Sequence, residues 1–167
     1  LGRGGMGQVH MARHRSGHLV AIKRVRDTLS GDLLVRDRLA NEATLLRRVK
    51  HPNVIRALDA GQDTDGTPYL VMDPVNGTSL TQLAKTGPLP LARIASITSQ
   101  LLAGLAAIHA AGVVHADIKS SNVMIDESDL VQIIDFGLAR TMSRFDSNGL
   151  IAGTPSYMAP EVIAGEP

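Results

Sequence analysis

Apolar residues recur at two different spacings along this chain. Up to residue 72 short strand-like runs dominate. Residues 8–14 and 18–25 read as two strands joined by Arg15-Ser16-Gly17, and 54–60 and 69–72 as two more around Asp63-Thr64-Asp65-Gly66. Between these pairs, Leu39, Ala43, Leu46 and Val49 share one stripe of a helix over 33–49, and Asp32 stands where it can cap the start. Glu42 lies on or beside that stripe, an unusual place for a carboxylate without a partner. After His51-Pro52-Asn53 breaks the helix and Pro74, Asn76 and Gly77 mark a linker, the period turns helical. Residues 79–85 form a short helix stopped by Gly87-Pro88. A long helix over 91–109 places Ile94, Ile97, Leu101, Leu105 and Ile108 on one face. Short β pieces are expected at 113–114, 123–125 and 131–134, and 138–158 is polar and irregular.

The pattern predicts an α+β fold: a small sheet with one helix, then the start of a mainly helical lobe, with a ligand in the cleft between them. Composition narrows the class. A chain of 167 residues with 44% apolar and 20% charged residues suits one globular domain. The absence of cysteine excludes a disulfide scaffold, a thiolate zinc site and a thiol nucleophile. A net charge of +1 argues against a bulk binder of nucleic acid or anionic membranes. With Tyr69, Phe136, Phe145 and Tyr157 as the aromatic residues, the core must be aliphatic. No apolar run reaches membrane-spanning length; the nearest, 101–114, is interrupted by His109. The chain opens at Leu1 inside a glycine-rich motif and ends at Pro167 beside another motif, so it reads as an internal piece of a longer protein. Charge is uneven, net +7 over 1–50 and −6 over 51–167. That is either a solvated basic surface or a half that faces an anion such as a polyphosphate.

Gly2-Arg3-Gly4-Gly5-Met6-Gly7 is by itself a weak signal. A dinucleotide fingerprint needs a helix directly afterwards, but strands flank this loop, and no G-K-[ST] follows. It is either a plain glycine turn or a place where backbone N–H groups approach phosphate oxygens without Cβ interference. Lys23 either snorkels from a strand edge or pairs with Glu42 across the small lobe, fixed where it can touch phosphates. His115-Ala116-Asp117-Ile118-Lys119-Ser120-Ser121-Asn122 lies between β pieces, and Asp135-Phe136-Gly137 follows Asp117 by 18 residues. Taken singly, each is a loop with Asx turns. Together they bring two acids, an amide and a lysine to strand ends. Asn122 and Asp135 offer oxygens suited to Mg²⁺, and Asp117 is free to act as a base or to orient a hydroxyl.

In this order, the glycine loop, V-A-I-K, helix glutamate, H-x-D-x-K-x-x-N, D-F-G and G-T-x-x-Y-x-A-P-E resemble the signature of a eukaryotic-like, bacterial-type serine/threonine protein kinase, collinear over the whole chain. The resemblance implies a bilobal fold: an N-lobe over 1–72, a hinge over 73–77 and a partial C-lobe over 78–167, its further helices lying beyond this segment. It implies that Gly2, Gly4 and Gly7 cover the phosphates of ATP. Val9 and Ala21 would pack on adenine from above and Met124 from below. Met72 would gate the pocket, and the Asp73 carbonyl and Val75 N–H would hold the adenine edge. Lys23, paired with Glu42, would bind the α/β-phosphates. Asp117 would be the catalytic base, and Lys119 would steady the transferred phosphoryl group. Thr154 would shape the acceptor pocket, and Asn122 and Asp135 would hold Mg²⁺. Leu46, Leu58, Phe136 and His115 resemble the apolar stack that couples the lobes.

The implied activity is ATP- and Mg-dependent phosphorylation of Ser/Thr hydroxyls on protein substrates, in the cytoplasm, with the parent chain free to carry a membrane anchor elsewhere. The D-x-K and G-T-P-S-Y forms favour Ser/Thr acceptors over Tyr. A pseudokinase scaffold is the alternative, but Lys23, Asp117 and Asp135 are all present. A small-molecule kinase is the third reading, weakened by the intact G-T-P-S-Y-M-A-P-E. One departure stands out. Ala116 replaces the arginine usual before the catalytic aspartate, which reads an activation-loop phosphate. Activity is therefore expected not to need phosphorylation at Thr141, Ser143 or Ser147. Glu161 is expected to need an arginine partner from beyond the segment, which would leave 138–167 loose in the isolated piece.

Overall fold

A computed structural model describes residues 2–3, 7–25, 32–137, 139–141 and 154–164. Gly4, Phe145, Ser143 and Ser147 lie outside the described residues.

Strands β1 (Gly2–Arg3), β2 (Gly7–Arg13), β3 (Leu19–Val25), β4 (Ala57–Gln62) and β5 (Pro68–Met72) form an antiparallel sheet in the order β1-β2-β3-β5-β4. The β2–β3 hairpin is in register from Gly7↔Val25 to Arg13↔Leu19. Its turn closes through Gly17 at φ 90°, a conformation that costs glycine little because it has no Cβ. Helix α1 (Leu33–Leu46) packs on β3, β4 and β5. Asp32 caps it, accepting from Leu34 N–H at 2.9 Å and Val35 N–H at 3.3 Å. The helix stops three residues short of the sequence expectation. Arg48 and Val49 donate to the carbonyls of Leu45 and Leu46, a tighter turn that precedes His51-Pro52, yet Val49 stays buried.

Two expectations for the third strand are corrected. The segment from Asn53 to Ile55 bonds not to this sheet but to the later strand Val131–Ile133: Ile55 N–H donates to the Ile133 carbonyl at 2.9 Å, and Ile133 N–H to the Asn53 carbonyl at 2.9 Å. Pairing with β5 begins only at Ala57, and the register then shifts between Ala57 and Asp59. That bulge turns Leu58 outward, 39% exposed, and leaves the smaller Ala57 against the core where Leu58 was expected.

The second half holds β6 (Gly77–Ser79), α2 (Leu80–Ala84), α3 (Leu91–Ala110), β7 (Val113–Val114), β8 (Val123–Asp126), β9 (Val131–Ile133), β10 (Arg140–Thr141) and α4 (Pro160–Ile163). β6-β8-β9 make one small sheet and β10-β7 another. α3 is the one helix among the described residues long and apolar enough to cross a bilayer. In this fold it lies against β7 and β9 and buries Ile97 and Ile108. Ile94, expected on that face, is 44% exposed, because the apolar cluster of Leu83, Val123, Ile125 and Val131 takes in Ile97 and not Ile94. One apolar cluster runs from α1 and β5 (Leu46, Leu70, Met72) through Phe136 to Ile108, Val113 and Ile133, so both halves share a core.

Candidate active site

Residues opposite one another in an antiparallel pair, and those two apart along a strand, share a face. The pairs Val9↔Lys23, Ala21↔Met72 and Lys23↔Leu70 therefore put Val9, Ala21, Lys23, Leu70 and Met72 on one side of the sheet. Ala21 and Met72 are buried and Val9 is half-buried. Gly2 pairs with Val9, and Gly7 opens β2. Met124, half-buried on β8, pairs with Ser79 of β6. Asp73 follows β5 directly, and Val75 packs against the shared core. Arg56 grips the Asp73 carboxylate with Nε at 2.7 Å and Nη2 at 3.1 Å.

Lys23 is the centre of the first cluster. Its Nζ donates to both Glu42 oxygens at 2.7 Å and to Asp135 Oδ1 at 2.7 Å, joining residues 112 positions apart. Glu42 is 2% exposed and also accepts from Phe136 N–H at 3.2 Å, so one carboxylate ties α1 to β3 and to the segment after β9. Burial would lower the Lys23 pKa, but Glu42 and Asp135 outweigh it and the net shift is upward. Burial raises Glu42 against the pull of Lys23. Burial would also raise Asp135, but the Lys23 ammonium and the Gly137 N–H hold it below the usual carboxylate value. The proton of this triad stays on the lysine. Under it, Leu46, Phe136 and His115 are all buried, with the His115 and Phe136 rings tilted at 58° and 4.8 Å apart. Burial pushes His115 down, so the ring is neutral, and its Nε2 faces the Ile134 carbonyl at 3.1 Å. The neutral ring donates there and accepts from Asp117 N–H at Nδ1, 3.3 Å away.

The second cluster surrounds Asp117. Its Oδ1 accepts from the Thr154 hydroxyl at 2.7 Å, and its Oδ2 from Lys119 at 2.7 Å and Asn122 Nδ2 at 3.2 Å. Lys119 also reaches the Thr154 hydroxyl at 2.8 Å. An aliphatic alcohol is thus held between a carboxylate and an ammonium. Asn122 also donates to the Asp117 carbonyl at 2.9 Å, which leaves its own amide oxygen for a cation. Ala116 and Asp135 flank the site at φ 62° and 66°, left-handed conformations that cost non-glycine residues roughly 1–3 kcal/mol each and cluster at functional sites.

Among the described residues, no group of three or more His, Cys, Asp or Glu side chains could hold a metal ion. Asn122 and Asp135 each offer a hard oxygen, the donor type that Mg²⁺ takes together with phosphate and water. Sequence reasoning missed Asn41, whose Nδ2 holds the Ala139 carbonyl at 3.1 Å. It also missed Asn53, which bonds Gln100 and the Val131 carbonyl. Neither stands in a motif, and only its long-range partners show its role.

The protein kinase domain family matches residues 1–167. Serine/threonine-protein kinase pkn3 of Myxococcus xanthus is 39% identical over 99% of this chain and 32% of its own length. Serine/threonine-protein kinase pkn2 of the same organism is 39% identical over 99% of the chain and 21% of its own length. Serine/threonine-protein kinase PknD of Mycobacterium tuberculosis is 38% identical, with 99% and 26% covered. The chain therefore spans between about a fifth and a third of the length of these curated relatives. With its whole length matched and its two clusters assembled from the signature residues, the chain belongs to the protein kinase domain family.

Proposed function

We propose that this chain carries the nucleotide-binding and phosphoryl-transfer part of a serine/threonine protein kinase. In this reading residues 1–72 are the N-lobe, 73–77 the hinge and 78–167 part of the C-lobe, with ATP between them. The observation that supports it best is Lys23 held by Glu42 and Asp135 at 2.7 Å, a fixed ammonium beside a carboxylate suited to a metal.

Gly2, Gly4 and Gly7 would lie over the phosphates. Val9, Ala21, Met72 and Met124 would enclose the adenine, and the backbone of Asp73 and Val75 would bind its edge. Lys23 would contact the α/β-phosphates. Asn122 and Asp135 would hold Mg²⁺, which supplies charge neutralisation on the phosphates when bound. Asp117 orients the acceptor hydroxyl and takes its proton as the oxygen attacks the γ-phosphorus. The bond from that phosphorus to the β-phosphate oxygen breaks, and ADP leaves. Lys119 neutralises charge on the transferred group, and Thr154 keeps Asp117 aimed. Positioning and electrostatics carry the reaction, because little covalent work falls to the protein. ATP supply favours the cytoplasm for this segment, and the acceptors are proteins.

The test is transfer of radiolabelled γ-phosphate from ATP and Mg²⁺ to a generic basic protein. Asp117→Asn and Lys23→Met should abolish it, and transfer unaffected by both would overturn the roles of Asp117 and Lys23. Nucleotide binding with no transfer by the wild-type chain would make it a pseudokinase scaffold.

A further inference from the structure

Beside the Asp117 cluster runs a second link that none of the roles above uses. Ser120 follows Lys119 and opens a short 3₁₀ turn over Ser120–Asn122. Its hydroxyl lies 2.7 Å from Thr81 Oγ1, on α2, and 2.8 Å from the hydroxyl of Tyr157. A serine hydroxyl has one proton and two lone pairs, so it can bond both neighbours at once, and the three hydroxyls form a continuous chain. The chain starts on a well-fixed element. Ser79 and Gln82 form a capping box that holds the first turn of α2. It ends on the 3₁₀ turn over Pro155–Tyr157, which follows Thr154 directly. Thr154 is the residue whose hydroxyl bonds Asp117 and Lys119. The turn is thus held to the catalytic loop at both ends, at Thr154 by the base and at Tyr157 by Ser120. Ser120 and Thr81 are half-buried while Tyr157 is 55% exposed, so the chain leads from the interior to the surface where an acceptor would lie.

We infer that Ser120 is a positioning residue for the protein acceptor. Through Tyr157 it sets where the 154–157 turn stands relative to Asp117, and through Thr81 it references that turn to α2. This inference rests on the phosphoryl-transfer reading above. Removing the Ser120 hydroxyl unpairs Thr81 and Tyr157 together and leaves Lys23, Asp135 and the sheet face untouched. The effect therefore falls on acceptor binding and not on ATP.

The experiment measures kcat and KM for a basic protein acceptor, and KM for ATP, on the full-length chain and its Ser120→Ala, Tyr157→Phe, double and Ser120→Thr variants. Ser120→Ala and Tyr157→Phe should each raise acceptor KM roughly three- to tenfold, the range set by one lost hydrogen bond. KM for ATP should stay at the wild-type value. The double variant should be no worse than the weaker single, because both changes break one chain. Ser120→Thr, which returns the hydroxyl, should recover acceptor KM. Unchanged acceptor KM, additive effects in the double variant, or a matching loss of ATP affinity with a lowered melting temperature would each overturn the role of Ser120. A wild-type chain that phosphorylates no acceptor would instead sink the kinase reading itself, and this inference with it.

Discussion

Replacing Lys23 by methionine should cost far more stability than replacing its partner Glu42 by glutamine. Lys23→Met removes the ammonium that faces both Glu42 and Asp135. Glu42 is 2% exposed and would keep the Phe136 N–H while losing its counter-charge. An uncompensated buried charge costs about 3–5 kcal/mol. The Asp135 side chain is 44% exposed, so water absorbs much of its share, and the lower end, about 3 kcal/mol, applies. For a domain of this size that lowers the melting temperature by roughly 6–12 °C. Glu42→Gln acts differently. The amide oxygen still accepts from Phe136 N–H, Lys23 keeps Asp135, and the burial cost of a carboxylate disappears. Its net cost should stay below about 1.5 kcal/mol. The two variants should also respond differently to acid, because only Lys23→Met keeps the titrating Glu42 carboxylate. Burial already raises the Glu42 pKa, and without Lys23 only the Phe136 N–H opposes that rise, so the Lys23→Met protein takes up a proton more readily as pH falls from 7 to 5 and the gap narrows. Thermal denaturation at pH 7 and pH 5, followed by circular dichroism, reads both effects. Equal melting temperatures at pH 7, the reverse order, or a gap indifferent to pH would refute this account of the triad.

Burial holds the His115 pKa below its ordinary 6.5, so the unfolded chain binds more protons than the folded one. Its contribution to stability is complete above about pH 6.5 and is lost as pH falls through the depressed value; His115→Phe should flatten that part of the pH–stability curve. Asp135 contributes in a separate window, present above 3.8 and lost below it, and should persist in that variant. Gly104→Ala should destabilise by about 1–3 kcal/mol in urea titration, against the usual gain for this exchange in a helix. The new Cβ would stand 2.9 Å from the Asn53 carbonyl oxygen and 2.9 Å from Ile133 Cδ1, and the carbonyl is fixed by its bond to β9. Ala116 offers no cation to an activation-loop phosphate. Replacing Thr141, Ser143 and Ser147 together by Ala should therefore leave phosphoryl transfer in place, and its abolition would show that the switch needs one of these hydroxyls.

Much of the site was legible in the chain because its chemistry is carried by short motifs with local causes. Asp117, Lys119 and Asn122 fall within one loop, and a loop that must end in a turn at a strand end leaves few places for those side chains to go. Glu42 declared itself by standing on an apolar stripe, where a carboxylate is costly without a partner. The hairpin and the capped helix followed from periodicity and turn residues, which are also local. What neighbouring residues could not determine were the contacts made across sequence distance. The bulge that exchanged Leu58 for Ala57 depends on how β4 meets β5. Residues 53–55 left the sheet because β9 supplied the partners for their backbone groups. Ile94 kept its helical position but stays 44% exposed. The hydroxyl chain from Thr81 through Ser120 to Tyr157 joins three segments whose residues are, one by one, ordinary alcohols. Spacing along a chain encodes which face a residue shares with its neighbours; which other face it meets is decided by packing, where burial and hydrogen-bond satisfaction are shared among all segments at once.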